Sequence, residues 1–116
     1  MLTGPQFAVL QCVDANPGWD QRSIARLVAL DTSTMADVAR RLEDRGLLDR
    51  RASTHDGRRK LLYSTREGVK VLRAANKRAR ALDKLLLEQY SEEERAQLID
   101  TLRSLADLWE MLAGVA

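Results

Sequence analysis

The stretch QRSIARLVALDTSTMADVARRLEDRG, residues 21–46, decides the fold of this 116-residue chain. Its first half has the apolar spacing of a short helix over residues 21–30, which begins after Asp20, and its second half has that of a longer helix that begins after Asp31. Both aspartates are favourable N-cap residues, and Gly46 stands where a left-handed C-cap belongs. A short helix, a turn of about three or four residues and a longer helix together form a helix-turn-helix pattern.

A β-hairpin is predicted directly after these two helices. The segments LLDRRAS (residues 47–53) and RKLLYS (residues 59–64) are typical of short strands, and they flank the tip STHDGRRK, residues 53–60. The His-Asp-Gly sequence within the tip tolerates a tight reversal of the chain. This tip buries nothing, so it is either a solvated loop or a contact surface. Its position after a helix-turn-helix favours the contact surface.

Three further helices are predicted around this centre. Thr3 caps the first helix in the manner of a capping box, and Thr65 caps a long helix that runs to about Tyr90. Ser91 and Glu94 form a second capping box that opens the last helix. The sequence therefore predicts a chain of helices that is interrupted by one hairpin.

The order of these elements predicts a mainly α fold with a small β-hairpin wing. We expect a winged helix-turn-helix DNA-binding domain over residues 1–64 and a helical dimerisation region over residues 65–116. A narrow apolar seam in the last helix has the spacing that packs against another helix, which predicts a homodimer. The alternative is that the two terminal helices cover each other within one chain. The seam consists of Leu98, Leu102, Leu105, Trp109 and Leu112.

Charge is distributed unevenly along the chain, although the net charge is only +2. Residues 40–60 carry +4, residues 61–87 carry +5, and the remainder from residue 88 carries −5. A positive middle indicates a polyanionic partner, for which double-stranded DNA is the natural candidate. The basic residues of the long helix share one face: Arg66, Lys70, Arg73, Lys77, Arg80 and Lys84.

The second helix of a helix-turn-helix lies in the major groove, with its N-terminal half closest to the base edges. Short hydroxyl side chains at its start can approach phosphates and bases, and Met35 or Ala36 could touch a thymine methyl group. For Met35 and Val38, however, a place in the hydrophobic core is the favoured interpretation. Asp37 is repelled by phosphate and requires either a cytosine amino group or an arginine partner. The predicted DNA contacts on this helix are Thr32, Ser33, Thr34, Asp37, Arg40 and Arg41.

The hairpin tip is predicted to meet the neighbouring minor groove, which is narrow, strongly negative and attractive to arginine. Arg58 is the candidate for insertion, and Asp56 could hold its guanidinium group through a bidentate pair. Gly57 lets the backbone turn between them. The predicted phosphate contacts of the hairpin are Arg50, Arg51, Arg59 and Lys60.

Other chemistry is largely excluded by composition. The only histidine, His55, and the only cysteine, Cys12, are far apart in sequence, so neither a catalytic relay nor a metal site is expected, and no cofactor is predicted. Cys12 lies in an apolar helix, where it is either inert packing or a redox sensor. The sequence shows no signal peptide and no apolar run of about 20 residues, so we expect a cytoplasmic protein without a membrane segment.

Three stretches carry a family resemblance: LTGPQFAVL, QRSIARLVALDTSTMADVARRLEDRGLLDRR and DGRRKLLYSTREG. Together they resemble the MarR family of winged-helix transcription regulators over residues 2 to 70. The resemblance implies a homodimer on a pseudo-palindromic operator, usually a repressor released by a small aromatic or phenolic ligand. The family's wing aspartate and arginine correspond to Asp56 and Arg58.

The chain departs from the family pattern in several places. The family commonly has a basic or polar residue at Asp37, an acidic or amide residue at Arg40 and a leucine at Ser64. It also has a helix before the LT motif, which the given sequence does not contain; either that helix lies outside the given sequence or this member is shortened. A ligand site is expected between the winged domain and the dimerisation helices. A structural role is the favoured alternative for each of its candidate residues, which are Phe7, Leu10, Gln11, Trp19 and Arg73.

One alternative function of a different class is a winged-helix module that has lost DNA binding and serves protein interaction. The basic tip of the hairpin favours DNA binding over this alternative, because a row of exposed cations suits phosphate better than a neutral protein surface.

Overall fold

The computed structural model describes residues 1–115. Within this range the chain forms five helices and one two-stranded antiparallel sheet, so the predicted mainly α fold with a hairpin wing is confirmed. The elements in chain order are α1 (Gly4–Ala15), α2 (Gln21–Leu27), α3 (Thr32–Asp44), β1 (Leu48–Ala52), β2 (Lys60–Ser64), α4 (Arg66–Leu87) and α5 (Glu92–Val115).

Two capping boxes begin the first and last helices, as the sequence predicts. At α1, the Thr3 hydroxyl accepts from the Gln6 amide at 3.3 Å, and the Gln6 side chain accepts from the Thr3 amide at 3.2 Å. At α5, Ser91 and Glu94 make the same reciprocal pair at 3.1 and 3.0 Å. Each box satisfies two backbone amides that have no partner inside their helix.

The helix-turn-helix is built from α2 and α3. The Asp20 carboxylate accepts from the Ser23 amide at 2.7 Å and so caps α2. This helix ends at Leu27, earlier than the predicted residue 30, because Ala29 adopts a left-handed φ of 55° that a helix cannot contain. Gly46 adopts a φ of 72° directly after α3, which confirms its predicted role at the helix end.

The hairpin pairs β1 with β2 in a register that runs from Leu48 opposite Ser64 to Ala52 opposite Lys60. The loop before α2 extends this small sheet. Gly18 donates its amide to the Leu62 carbonyl at 2.9 Å, and the Leu62 amide donates to the Trp19 carbonyl at 3.0 Å. The wing is therefore fixed by backbone bonds to the start of the helix-turn-helix.

One hydrophobic core lies between α1, α2, α3 and the hairpin. It buries the inward face of α3, so the opposite face of α3 is left to solvent. The buried apolar side chains are Val9, Leu10, Val13, Ile24, Ala25, Met35, Val38, Ala39, Leu42, Leu47, Leu48, Leu62 and Leu72.

The first turn of α4 is joined to the end of α3 by close backbone contacts. The Thr65 hydroxyl donates to the Gly46 carbonyl at 2.7 Å and accepts from the Gly68 amide at 2.9 Å. Gly68 is buried against Leu47, and a Cβ atom at position 68 would collide with the Leu47 carbonyl oxygen. Only glycine allows the two segments to approach this closely.

The chain divides into two compact units, Met1–Arg78 and a second that begins at Ala79. The division falls inside α4, whereas the functional division at residues 64 and 65 stays a prediction. No residue of positions 79–114 is buried, and the seam side chains are 45% to 73% exposed. Among the described residues, no helix is both long enough and apolar enough to cross a membrane.

Candidate nucleic-acid interface

The start of α3 presents three hydroxyl side chains to solvent, as predicted. Thr32, Ser33 and Thr34 are all exposed. Asp31 caps the helix by accepting from the Thr34 amide at 2.8 Å and from the Thr34 hydroxyl at 2.9 Å. The bond from the Thr34 amide is the main reason why the pKa of the Asp31 carboxyl lies below its usual range. The Thr34 hydroxyl proton is thus engaged by the cap, while Thr32 and Ser33 face solvent.

Met35 does not belong to this surface. It is only 1% exposed and packs in the core, as the favoured interpretation of this residue expects, so the alternative contact with a thymine methyl group is excluded. The neighbouring Ala36 is half-buried and remains on the outer side of the helix. The difference follows from the helical period, which turns position 35 inward together with Val38 and Leu42.

Asp37 lies one turn further along the exposed face and is paired with two arginines. One carboxylate oxygen is 2.6 Å from Nη2 of Arg40, and the other is 3.0 Å from Nε of Arg41. The hydrogen bond from Arg40 is the largest cause that lowers the pKa of the Asp37 carboxyl. The expected arginine partner of Asp37 is therefore present twice, at positions i+3 and i+4 of the same helix.

A concave surface of about 380 Å³ lies between α3 and β1. Arg50 borders it from the strand, and Nε and Nη2 of this guanidinium donate to the same Glu43 oxygen at 3.1 and 3.0 Å. Only 24% of the Arg50 side chain is exposed, so Glu43 fixes its direction. The surface is lined by Ser33, Ala36, Asp37, Arg40 and Arg50.

The hairpin tip is closed by its own backbone. Ser53 donates its amide to the Arg59 carbonyl at 3.0 Å, and Arg59 donates its amide to the Asp56 carbonyl at 3.0 Å. The Asp56 carboxylate accepts from the backbone amide of Arg58 at 3.0 Å. It does not pair with the guanidinium group, so the predicted bidentate pair is wrong: the carboxylate shapes the turn instead of aiming the arginine.

The Arg58 side chain is exposed at the end of this turn. Within residues 1–115, its guanidinium group forms no salt bridge. His55 is also exposed at the tip, and its amide is held by the Ser53 hydroxyl at 3.2 Å. The tip thus presents one unneutralised arginine on a backbone that is fixed by hydrogen bonds.

Arg59 has a different environment from its neighbour. Its guanidinium group donates to one Asp20 oxygen from Nε at 3.1 Å and from Nη2 at 2.7 Å. Asp20 is the N-cap of α2, and its bond from the Ser23 amide is the largest cause that lowers its pKa to about 2, with Arg59 contributing. Arg59, predicted to meet phosphates, therefore also ties the wing to the helix-turn-helix.

Two further basic residues of the hairpin are exposed. The Arg51 guanidinium lies 4.6 Å from the centre of the Tyr63 ring and 3.5 Å from an Asp49 oxygen. Stacking on the ring holds this side chain along the strand. Lys60 begins β2 and is exposed at the base of the tip.

A second concave surface, of about 500 Å³, brings the tip and the helix-turn-helix together. It is bordered by the N-terminal ends of α2 and α3 and by the basic side of the tip. Arg22 is a cation of this surface that the sequence analysis did not predict, although the sequence already placed it in the first turn of α2. The surface is lined by Asp20, Gln21, Arg22, Ala25, Thr32, Met35, Asp56, Arg58, Arg59 and Lys60.

The candidate ligand residues do not meet in one cavity. Leu10 is fully buried in the core, which agrees with the structural alternative for this residue. Gln11 on α1 accepts from the Asn76 side chain on α4 at 3.0 Å, and Arg73 is exposed one turn before Asn76. Phe7 and Trp19 lie elsewhere: Phe7 packs partly against the core, and Trp19 is 45% exposed in the loop beside β2. These two are not among the residues that line either concave surface.

Cys12 is half-buried on α1 and packs against the hydrophobic core. Over the described range, no three histidine, cysteine, aspartate or glutamate side chains lie close enough together to hold a metal ion.

A capped helix pair with an exposed second helix, followed by a hairpin with a basic tip, defines a winged helix-turn-helix DNA-binding protein. A model of the MarR family matches residues 2–60. The transcriptional regulator HosA of Escherichia coli O157:H7 is 32% identical over 104 residues, which cover 90% of this chain and 77% of HosA. The chain belongs to the MarR family of transcription regulators and is not an enzyme.

Two solved structures agree with this assignment. The PcaV transcriptional regulator of Streptomyces coelicolor, in complex with its natural ligand, has a TM-score of 0.82 and 42% identity over 91% of this chain and 75% of PcaV. The transcriptional repressor CouR, bound to a 23-mer DNA duplex, has a TM-score of 0.85 and 34% identity over 91% of this chain and 75% of CouR.

Proposed function

We propose that this protein is a homodimeric repressor that binds a pseudo-palindromic DNA operator and leaves it when a small aromatic ligand binds. The observation that carries the proposal is the second concave surface, where Thr32 at the start of α3 and Arg58 at the tip border the same space. A duplex that receives α3 in its major groove would meet the tip at the adjacent minor groove.

The charges of this surface support the proposal. Arg22, Arg58 and Lys60 border one concave space and are exposed. Backbone phosphates on either side of the groove are the natural partners of such cations. The fixed tip favours insertion of Arg58, because little conformational entropy is lost when its backbone is already ordered. Thr32, Ser33, Arg40 and Arg41 are proposed to contact bases or phosphates from α3, and Arg50 and Arg51 phosphates from β1.

The exposed seam on α5 supports dimerisation. Within the second unit the last turns of α4 and the whole described length of α5 leave their leucines accessible, with Leu105 at 59% and Trp109 at 73% exposure. This exposure favours the dimer over the alternative that the two helices cover each other within one chain. Burying each seam side chain in a partner contributes roughly 1.5–3 kcal/mol. A two-fold dimer presents two recognition helices to half-sites one helical turn, about 34 Å, apart.

A small-molecule effector is supported by the ligand-bound PcaV structure and by the α1–α4 contact. Gln11 forms this contact with Asn76, and Arg73 is exposed one turn before Asn76 on α4, so the region offers an amide and a cation. A phenolate or carboxylate bound there would interact with both. Because the operator is chromosomal DNA, we infer that the protein acts in the cytoplasm.

Arg58→Ala tests the proposed mode of DNA binding. Operator duplexes are first selected by the protein from a random-sequence library, and affinity is then measured by fluorescence anisotropy at several salt concentrations. We expect Arg58→Ala to weaken operator binding by about 1–3 kcal/mol. Arg103→Ala, which removes an equal charge from α5, is the matched control and should leave affinity unchanged once its dimeric state is verified.

Equal operator affinity in the wild type and in Arg58→Ala would contradict the placement of the tip in the minor groove. Failure of the wild type to enrich any sequence would favour the protein-interaction module over a DNA-binding regulator.

A further inference from the structure

The exposed face of α3 carries one acidic residue where a DNA-binding helix is expected to be neutral or basic. Asp37 borders the concave surface between α3 and β1 together with Ser33 and Arg40. Its side chain is 42% exposed, so it remains accessible to a partner. A carboxylate in this position repels every phosphate that approaches the helix, so it opposes the binding that the rest of the helix favours.

The geometry of Asp37 engages both of its oxygens. Arg40 binds one oxygen at 2.6 Å and Arg41 binds the other at 3.0 Å, and the two arginine side chains are 60% and 65% exposed. Three side chains on one helical turn thus form an Arg–Asp–Arg cluster that points outward. The cluster has a net charge of +1, whereas two arginines alone would have +2.

This cluster has two consequences for a duplex that approaches α3. First, any phosphate that binds Arg40 or Arg41 must compete with a carboxylate already bound to the same guanidinium group. Second, the free lone pairs of Asp37 accept hydrogen bonds only from the amino groups of cytosine or adenine in the major groove. The acceptor atoms of guanine and thymine are repelled by it.

We propose that Asp37 is a specificity-determining residue that weakens binding to non-operator DNA and selects a cytosine or adenine at the base that it faces. The inference rests on the proposed placement of α3 in the major groove. In the operator complex, the facing amino group donates to Asp37, and the arginines held beside it bind guanine edges or the backbone. On other sequences, the carboxylate meets an acceptor atom and opposes close approach.

The other carboxylates of α3 are not placed to perform this task. Glu43, the next carboxylate on α3, is engaged by Arg50 of β1. Asp44 is exposed at the last position of α3 and, within the described residues, forms no salt bridge. Asp37 is thus the carboxylate that combines exposure, a position in the N-terminal half of α3 and direct contact with two arginines.

Asp37→Asn and Asp37→Ala test the proposal, with Asp44→Asn as the matched control for the loss of one negative charge. Each full-length variant is titrated by anisotropy against a fixed pool of random-sequence duplexes at several salt concentrations. We expect Asp37→Asn to bind this pool about tenfold more tightly, with a salt slope steeper by about one to two units because one or two more phosphates are contacted. Asp44→Asn should change the affinity by about twofold through net charge alone.

The second readout is base preference, measured by selection and sequencing from the same random library. The wild type and Asp44→Asn should enrich the same motif, and both Asp37 variants should lose the preference at one base pair of each half-site. Circular dichroism verifies that each variant is folded, as expected for changes at exposed positions.

The inference is overturned if Asp37→Asn matches Asp44→Asn in pool affinity, salt slope and enriched motif. Retention of the motif by both Asp37 variants together with tighter pool binding would overturn the base-selection part alone. Enrichment of no motif by the wild type would instead overturn the proposed function, so the two failures are distinguishable.

Discussion

The two units of this chain use their leucines in opposite ways. In the unit Met1–Arg78, Leu10, Leu42 and Leu62 are completely buried, and the core closes on itself. In the unit that begins at Ala79, the leucines at 102, 105 and 112 are all more than half exposed. The difference teaches that the first unit buries its apolar side chains within the chain, whereas the second leaves its apolar side chains exposed, which is the observation behind the proposed dimer. Amphipathic helices gain most of their stability from such packing.

The largest expected effect is the loss of a core leucine from the first unit. Leu62→Ala removes a fully buried side chain from β2, next to the backbone bonds that attach the wing to the loop before α2. We expect the free energy of unfolding to fall by about 2–5 kcal/mol, because the substitution removes buried apolar contacts and leaves a cavity in the core. Urea denaturation measures this change. A loss below about 1 kcal/mol would contradict the description of a self-contained core.

The second expected effect concerns association instead of folding. Leu105→Ala shortens a seam side chain that is 59% exposed in one chain. We expect the dimer to weaken by roughly 1.5–3 kcal/mol for each buried copy of the side chain, detected as a higher dissociation constant in sedimentation equilibrium.

Leu27→Ala is the control for this second prediction. Leu27 is 52% exposed in the first unit, so it has similar exposure but lies outside the seam. It should leave the dissociation constant unchanged. If both substitutions raised the dissociation constant equally, or if neither raised it, the distinction between the two units would be contradicted.

The smallest expected effect lies at the junction between α2 and the wing. The folded pKa of Asp20 is about 2, below its usual 3.8, because the carboxylate caps α2 and binds Arg59. A lowered folded pKa gives stability that is present above pH 3.8 and is lost as the pH falls through 2. We expect this loss to be about 1–2 kcal/mol.

Asp20→Asn separates this contribution from the titration of other carboxyl groups. The amide can still cap α2 but has no charge for Arg59, so the variant should be less stable near neutral pH and should lose less stability on acidification. The free energy of unfolding of the wild type and of Asp20→Asn is measured by urea denaturation between pH 5 and 2. Parallel curves of this free energy against pH would contradict the assigned role of Asp20.

Local signals in the sequence were sufficient for most of the fold. The caps at Thr3, Asp20, Asp31 and Ser91 act over three residues, so they are readable without any tertiary context. Gly46 was equally readable, because glycine directly after an amphipathic run is the usual residue for a left-handed helix end. The early end of α2 could not be read from the sequence, since nothing in the sequence marks Ala29 as left-handed.

The site was less predictable because its contacts join distant residues. The pair of Arg59 with Asp20 spans 39 positions, and the bond from Asn76 to Gln11 spans 65. Asp56 illustrates a different difficulty: its carboxylate had two possible partners at Arg58, and it binds the backbone amide instead of the guanidinium group. Sequence spacing brings residues near each other, but it does not decide which atoms meet.

The absence of a side chain at Gly68 has a mechanical consequence. The first turn of α4 touches the Leu47 carbonyl directly, and Thr65 bonds to Gly46 in the same place. No side chain at position 68 separates the start of α4 from the residues that directly follow α3. We expect a rotation of the first turn of α4 to displace the end of α3, so a substitution at position 68 should alter the exposed surface of α3 although it lies outside that surface.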